Sequence, residues 1–448
     1  MKLVIVGGGG FRVPLVYRAL SAGQFAGVID QVVLHDSDPA RLKAISRVLQ
    51  TMPLPAGSDR PHLAAEADLD AALMGADVVF AAIRSGGAAG RVLDERVALD
   101  EGLLGQETVG AGGISYALRS VPQMLGVAES IRRVCPDAWL INFTNPAGMV
   151  TGAVQTILGD RAIGICDSAS GLVSRTAAAA GVPLVEGSLG GVDYVGLNHL
   201  GWLRGLTYEG VDRLPGLLAD PRRLASFEEG RVFGPDLPRL VQAVPNEYLF
   251  YYYYHREAVR ALAGAAETRG VFLHRQQEEL YAELLTTPEP FAVWEGARLA
   301  REEGYLAEAR PEAEERDESD LAGGGYERIA LAAMRALLTD QPTELIVNVR
   351  NGGVLPALPA DAVVEVPARL DRTGATPLPT GALTPHQLGL MAQVLSVEEA
   401  VVHAAVHADR DSALRAFLLH PLIDSAHAAS RLLAGYERAF PALAAYWK

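Results

Sequence analysis

Cysteine is nearly absent: two thiols, Cys135 and Cys166, in 448 residues cannot build a disulfide framework. Positive charge is scarce as well. Against 54 Asp and Glu stand 39 Lys and Arg, a net charge of −15, which argues against a general nucleic-acid binder because neutralising phosphates needs clustered cations. No run of about 18 uncharged apolar residues occurs, and the N-terminal MKLVIVGGGG lacks the charged region, long apolar stretch and cleavage site of a secretion signal. A soluble, cytoplasmic protein with no membrane partner is the expectation. Long polar tracts are missing too; a chain that is 49% hydrophobic and 21% charged is globular, and its length suffices for two or three domains.

What is present is an alternation. KLVIV (2–6), QVVLHD (31–36), ADVVFAAI (76–83), AWLINF (138–143) and RAIGIC (161–166) are continuous apolar runs, separated by stretches with helical spacing. Strands of this kind belong to a parallel sheet covered on both faces, so an α/β fold with an N-terminal doubly wound, Rossmann-type domain over residues 1–165 is expected. After Cys166 the rhythm breaks. Residues 166–448 are read as a mixed α+β domain for metal and substrate binding and for oligomerisation, with strands at 344–353 and 362–370 and a helical tail from about 385. Residues 211–240 read as a surface excursion and 307–324 as a charged, solvated loop.

GGGGFR, Gly7 to Arg12 with Gly8, Gly9, Gly10 and Phe11 between, lies between a strand and a helix, the context a dinucleotide loop requires. Glycines let the backbone approach a pyrophosphate, and the helix N-terminus offers N–H donors. Counted as GxGxxG from Gly7, the third glycine falls on Arg12, so the motif is degenerate. Asp36, ending the second strand, can accept hydrogen bonds from ribose hydroxyls and repel a 2′-phosphate, which favours NAD over NADP. The alternative is a tight turn with Asp36 capping the next helix.

In an open parallel sheet ligands lie beyond the carboxyl ends of the strands. Arg84, Asn142, Asn145, Cys166 and Asp167 all sit at such ends. Cys166 is either a core filler with Asp167 as a helix cap, or the pair faces a ligand. His199, in VGLNHLGW, alone reads as a core or turn residue; joined to a thiolate it becomes a metal ligand, although 33 residues separate the two. The run YLFYYYYH (248–255) offers several phenols and no intrinsic means of choosing among them.

LLGQETVGAGG (103–113), INFTNPAGMVT (141–151), GICD (164–167), GLNHLGW (196–202), PNEYLFYYYY (245–254) and VNVRNGGVLPALPADAVVEVP (347–367) together resemble glycoside hydrolase family 4, closest to its 6-phospho-β-glucosidases. The resemblance implies a lactate/malate dehydrogenase-like fold and a glycosidase outside the two-carboxylate scheme. NAD oxidises the sugar at C3, a base removes the C2 proton, the aglycone leaves by elimination, water adds, and the hydride returns. It implies Cys166 and His199 as ligands of a divalent ion, usually Mn²⁺, although ligand softness alone favours zinc. It further implies Tyr248 as base, Asp167 as acid, Arg84, Asn145 and Arg269 as substrate contacts, a phosphoglycoside as partner molecule, and a homodimer or homotetramer. One departure concerns the phosphate: the family often carries hydroxyl residues just after the glycine loop, where this chain has Phe11, Arg12 and Val13. A hydrolase of unphosphorylated glycosides is therefore one alternative; a 2-hydroxyacid dehydrogenase and a non-catalytic sensor of NAD and sugar phosphate are others.

Overall fold

The computed structural model describes residues 1–21, 25, 27–54, 58, 60–303 and 325–447. The charged stretch 307–324 lies outside the described residues. Six strands, β1 (Lys2–Val6), β2 (Gln31–His35), β3 (His62–Ala65), β4 (Val78–Ala81), β5 (Trp139–Asn142) and β6 (Ala162–Gly164), pair in parallel in the order 3-2-1-4-5-6. This is the dinucleotide-fold order, with its switch point between β1 and β4. The five apolar runs became β1, β2, β4, β5 and β6; every residue of β4, β5 and β6 is buried, as a sheet covered on both faces demands. β3 carries no apolar run, since HLAA is a half-exposed edge strand.

The sheet does not stop at β6. β7 (Val192–Leu197), β8 (Leu200–Tyr208), β9 (Val211–Asp212), β10 (Val244–Pro245), β11 (Thr343–Arg350), β12 (Val363–Asp371) and β13 (Gly374–Pro377) extend it antiparallel to thirteen strands. β11 joins β6 through the single register pair Asn348 and Gly164, and β12 joins β7 through Glu365 and Gly196. The helix Pro385–His407, apolar and long enough to cross a membrane by composition, instead packs on Gly110–Val134 and Ala147–Leu158.

The excursion expected at 211–240 is corrected. Its short helices Leu214–Leu218, Pro221–Leu224, Glu228–Phe233 and Asp236–Val241 bury Leu214, Leu217, Leu224 and Phe227 in one cluster with the helix Ser168–Ala180. Glu228 and Glu229 are buried as well, beside Arg175. Proline and charge content concealed a core because the apolar positions are dispersed over four single-turn helices.

Candidate active site

The glycine loop leaves β1 and is fastened by backbone bonds: Gly7 N–H and Gly8 N–H both donate to His35 O, at 2.9 and 2.8 Å. Gly7 has φ +93, and a Cβ there would stand 2.6 Å from Ala82 O. Only glycine suits that position. Asp36 Oδ2 accepts from Gly9 N at 2.9 Å while Oδ1 accepts from Asp38 N. Asp36 thus braces the loop from behind, and Asp38 caps the following helix, accepting from Ala40 N and Arg41 N. From the opposite side Tyr281 O–H donates to Gly9 O at 2.7 Å and Trp294 Nε1–H to Phe11 O at 2.8 Å.

In front of the loop lies a cavity of about 400 Å³. Its wall includes Gly7, Gly10, Phe11 and Arg12 of the loop together with Arg84, Asn145, Cys166, Asp167, His199, Tyr248 and Arg269. Of the residues singled out from the sequence as site residues, Gly8, Gly9, Asp36 and Asn142 are not among those lining this cavity. The last is fully buried and spends its amide on Thr144 O, Ala147 O and Thr151 Oγ1. Asn145, by contrast, presents to the cavity, and its buried Oδ1 has no hydrogen-bond partner among the described residues.

Cys166 follows β6, and His199 forms the tight turn between β7 and β8 with φ +62, the left-handed region. For a non-glycine residue that backbone is uncommon, and it is held here by its surroundings. Neighbouring Asn198 accepts from Ala147 N at 3.1 Å and donates to Glu365, which also accepts from Asn348 at 3.1 Å and from Tyr194 at 2.7 Å. The outcome is that Cys166 Sγ and His199 Nε2 lie 3.6 Å apart. At that separation the sulfur and the nitrogen could both bind one divalent ion. Burial, then the charges of Glu365 and Asp167, pushes the Cys166 thiol well up, and burial lowers His199 to about 3, so its imidazole is a neutral acceptor at neutral pH. Tyr248 stacks on that imidazole, ring centroids 3.6 Å apart and planes 9° from parallel.

Compared with known families, residues 2–182 match the family 4 glycosyl hydrolase model and residues 194–423 the family 4 glycosyl hydrolase C-terminal domain. The chain belongs to glycosyl hydrolase family 4. The 6-phospho-beta-glucosidase of Escherichia coli strain K12 is 30% identical over 438 residues, 95% of this chain and 92% of that one. A solved structure of the Thermotoga maritima 6-phospho-beta-glucosidase with manganese, NAD⁺ and glucose-6-phosphate aligns with TM-score 0.80 at 26% identity over 99% of each chain. A 6-phospho-alpha-glucosidase from gut microorganisms, solved with NAD and glucose-6-phosphate, aligns with TM-score 0.79 at 25% identity, covering 100% of this chain and 99% of that one.

In this family 4 glycosidase Asp167 stands at the N-cap of the helix Ser168–Ala180, but its side chain makes no capping hydrogen bond; it lines the cavity, 3.8 Å from Arg12. Arg84 pairs with Glu107, and Arg91 binds the same carboxylate at 2.6 Å, so the Gln-Glu-Thr segment orients one wall. Arg269 N–H donates to Arg301 O at 2.5 Å, and the Arg301 guanidinium lies 4.7 Å above the Phe11 ring. Burial first, then the positive charges of Arg12 and Arg269, lowers the proton affinity of Arg301. Cations crowded in this way favour an anion among them. Sequence reasoning missed Arg301, which carries no motif, and also Arg175, Glu228 and Glu247, which line the cavity. A faint signal existed for Arg175: it lies seven residues after Ser168, on the same helix face.

Proposed function

We propose that this glycosidase hydrolyses 6-phosphoglucosides, 6-phospho-β-glucosides first among them, by redox-assisted elimination with NAD and Mn²⁺. The observation that carries the reading is the Cys166–His199 pair, 3.6 Å apart in the same cavity as the glycine loop and Tyr248. The residues present suit both groups. The loop packs too closely against β2 and β4 for side chains and leaves Gly7 and Gly10 open to a dinucleotide, and a thiol next to a neutral imidazole is a donor set for a divalent ion. When bound, the nicotinamide supplies a hydride acceptor for C3 and the cation, held by Cys166 and His199, a Lewis acid for the C2 and C3 oxygens.

The remaining roles fall to the chain. Tyr248, stacked on His199, takes the proton from C2; Asp167 delivers a proton to the glycosidic oxygen as the C1–O bond breaks. Arg12, Arg269 and Arg301 hold the 6-phosphate, with Arg12 standing where the family often places hydroxyls. Arg84 and Asn145 fix the ring. Residues 1–165 carry the nucleotide site and lend Arg12, Arg84 and Asn145 to the sugar phosphate; residues 166–448 supply the metal ligands, the base and the remaining sugar contacts. The β preference rests on the names of the E. coli and T. maritima proteins; a cytoplasmic homodimer or homotetramer rests on the family resemblance. A lactate-type dehydrogenase is disfavoured because it needs a histidine base oriented by a carboxylate, whereas His199 Nδ1 has no partner among the described residues and Nε2 faces sulfur.

The test is hydrolysis of p-nitrophenyl 6-phospho-β-glucoside, its α anomer and the unphosphorylated glucoside with NAD⁺, Mn²⁺ and reductant, and C2 deuterium exchange in D₂O. The β-phosphoglycoside should be the best substrate, and Tyr248→Phe should lower kcat by about 10²–10⁴-fold and abolish exchange. Turnover of the unphosphorylated glucoside alone would remove the 6-phosphate, and undiminished exchange would remove Tyr248.

A further inference from the structure

Glu247 opens the single turn Glu247–Leu249, one residue before Tyr248, and Asn246 Oδ1 fixes that turn by accepting from Tyr248 N at 3.0 Å. The side chain is 4% exposed and lines the cavity. Ser168, two residues beyond Cys166, lines the same cavity. The Glu247 oxygen Oε2 is buried and has no hydrogen-bond partner among the described residues.

The neighbourhood explains why no internal partner reaches it. Arg175 is the nearby cation, but its Nε donates to Glu229 Oε2 at 3.0 Å and its Nη2 to Glu229 Oε1, while Nη1 stands 3.9 Å from Glu228. One guanidinium faces three carboxyls, and Glu247 is the one not bound by it. An unmet buried acceptor costs about 1–3 kcal/mol, so packing alone gives no reason for it. Nor is Glu247 a third metal ligand: among the described residues no group of three His, Cys, Asp or Glu side chains is placed to hold one ion.

We infer that Glu247 Oε2 accepts a hydrogen bond from the C4 hydroxyl of the sugar ring, and that Glu247 thereby distinguishes gluco from galacto substrates. The assignment rests on the proposed function and follows by elimination. The C2 and C3 oxygens belong to the cation held by Cys166 and His199, the glycosidic oxygen to Asp167, and the substituent at C6 to the arginines. C4 carries the remaining hydroxyl; of the two unmatched side-chain oxygens among the described residues of the cavity, Asn145 Oδ1 and Glu247 Oε2, Glu247 Oε2 is the one next to Tyr248 on the turn that carries the base.

The experiment is a ligand–protein cycle on the full chain saturated with NAD⁺ and Mn²⁺, read by calorimetric binding of glucose 6-phosphate and its 2-, 3- and 4-deoxy analogues. In the wild type, loss of the 4-hydroxyl should weaken binding about tenfold. Glu247→Ala should bind glucose 6-phosphate about tenfold more weakly yet the 4-deoxy analogue as the wild type does, leaving about a twofold discrimination at most, and Glu247→Gln should restore part of it. In turnover, Glu247→Ala should narrow the preference for 6-phospho-β-glucoside over 6-phospho-β-galactoside. Should Glu247→Ala fail to fold, Glu247→Gln decides: its discrimination must drop, and an unchanged value overturns the assignment. Equal losses for all ligands, or a loss confined to the 2- or 3-deoxy analogue, also overturn it. A wild type that binds and discriminates but hydrolyses no phosphoglycoside would sink the proposed function and leave this contact standing; a wild type that binds no glucose 6-phosphate sinks both.

Discussion

The glycine loop and the Cys166–His199 pair are held in different ways. The loop lies at the end of a strand with five register pairs to β2 and four to β4, and its N–H groups bond the last residue of β2 directly. The Cys166–His199 pair depends on β6, β11, β12 and β7, where two of the three junctions, β6 to β11 and β12 to β7, are one register pair long. At those junctions the paired residues Asn348 and Glu365 hydrogen-bond to each other through their side chains, and Asn198 extends the network to the turn that carries His199. Backbone ladders position the nucleotide end of the site; a buried polar network positions the chemical end. Such a network is valuable only when fully satisfied. Asn348 Oδ1 and His199 Nδ1 lack partners among the described residues, so this end is the more easily disturbed.

The comparison is sharpened most by Cys166→Ser. Removing the thiol should weaken Mn²⁺ affinity by at least about 10²-fold, since loss of even an outer partner of a ligand costs about 10–100-fold. NAD affinity should stay within about twofold, because no backbone bond of the loop runs through Cys166. Parallel calorimetric titrations with Mn²⁺ and NAD⁺ measure both. A joint loss would mean that the two ends are not independent.

Gly8→Ala asks the reverse question. A Cβ at Gly8 would meet Leu34 Cβ at 2.7 Å and His35 N at 2.9 Å, atoms of a central strand that cannot retreat without breaking the bonds from Gly7 and Gly8 to His35 O. Overpacking of this kind destabilises by about 1–3 kcal/mol. The expected result in urea unfolding and titration is lower stability and weaker NAD binding with Mn²⁺ affinity preserved. An unchanged midpoint would show that the loop is looser than its contacts imply.

The same contrast governs what could be read from the sequence. β1, β2, β4, β5 and β6 were legible because each lies in a continuous apolar run and such runs recur along the chain; β3 was not, since an edge strand needs no such run. Cys166, Asp167, Arg84 and Asn145 were legible as strand-end polar residues, and the geometry brings all four to one cavity. The partnership of Cys166 with His199 was not legible from spacing, because it is made by β11 and β12, strands that begin 177 and 197 residues after Cys166. Only the motif resemblance supplied it. Glu247 stood in a recognised motif but gave no sign of its importance, because an unpartnered oxygen is a property of the packing around Arg175.

Acid offers the finest test of whether the two halves differ. Among the described residues the buried histidines are His199 and His420, both beyond β6; the parallel half buries none. His420 is 5% exposed, its Nδ1 accepts from Leu422 N at 3.1 Å, and burial first, then the charge of His255, lowers it to about 3. A histidine in the unfolded chain titrates near 6.5. Between those values the unfolded state holds the proton and the folded state does not, so stability rises with pH and is lost as pH falls, by about 1.4 kcal/mol per unit for this group. His420→Asn retains an acceptor for Leu422 N and cannot titrate. Its stability relative to the wild type should therefore improve by about that amount per unit on acidification from pH 6.5 towards 4, with the contribution of His199 cancelling in the difference. Parallel pH slopes in urea unfolding would show that His420 charges freely in the fold, and with it would go the argument that the acid sensitivity due to buried histidines belongs to the half beyond β6.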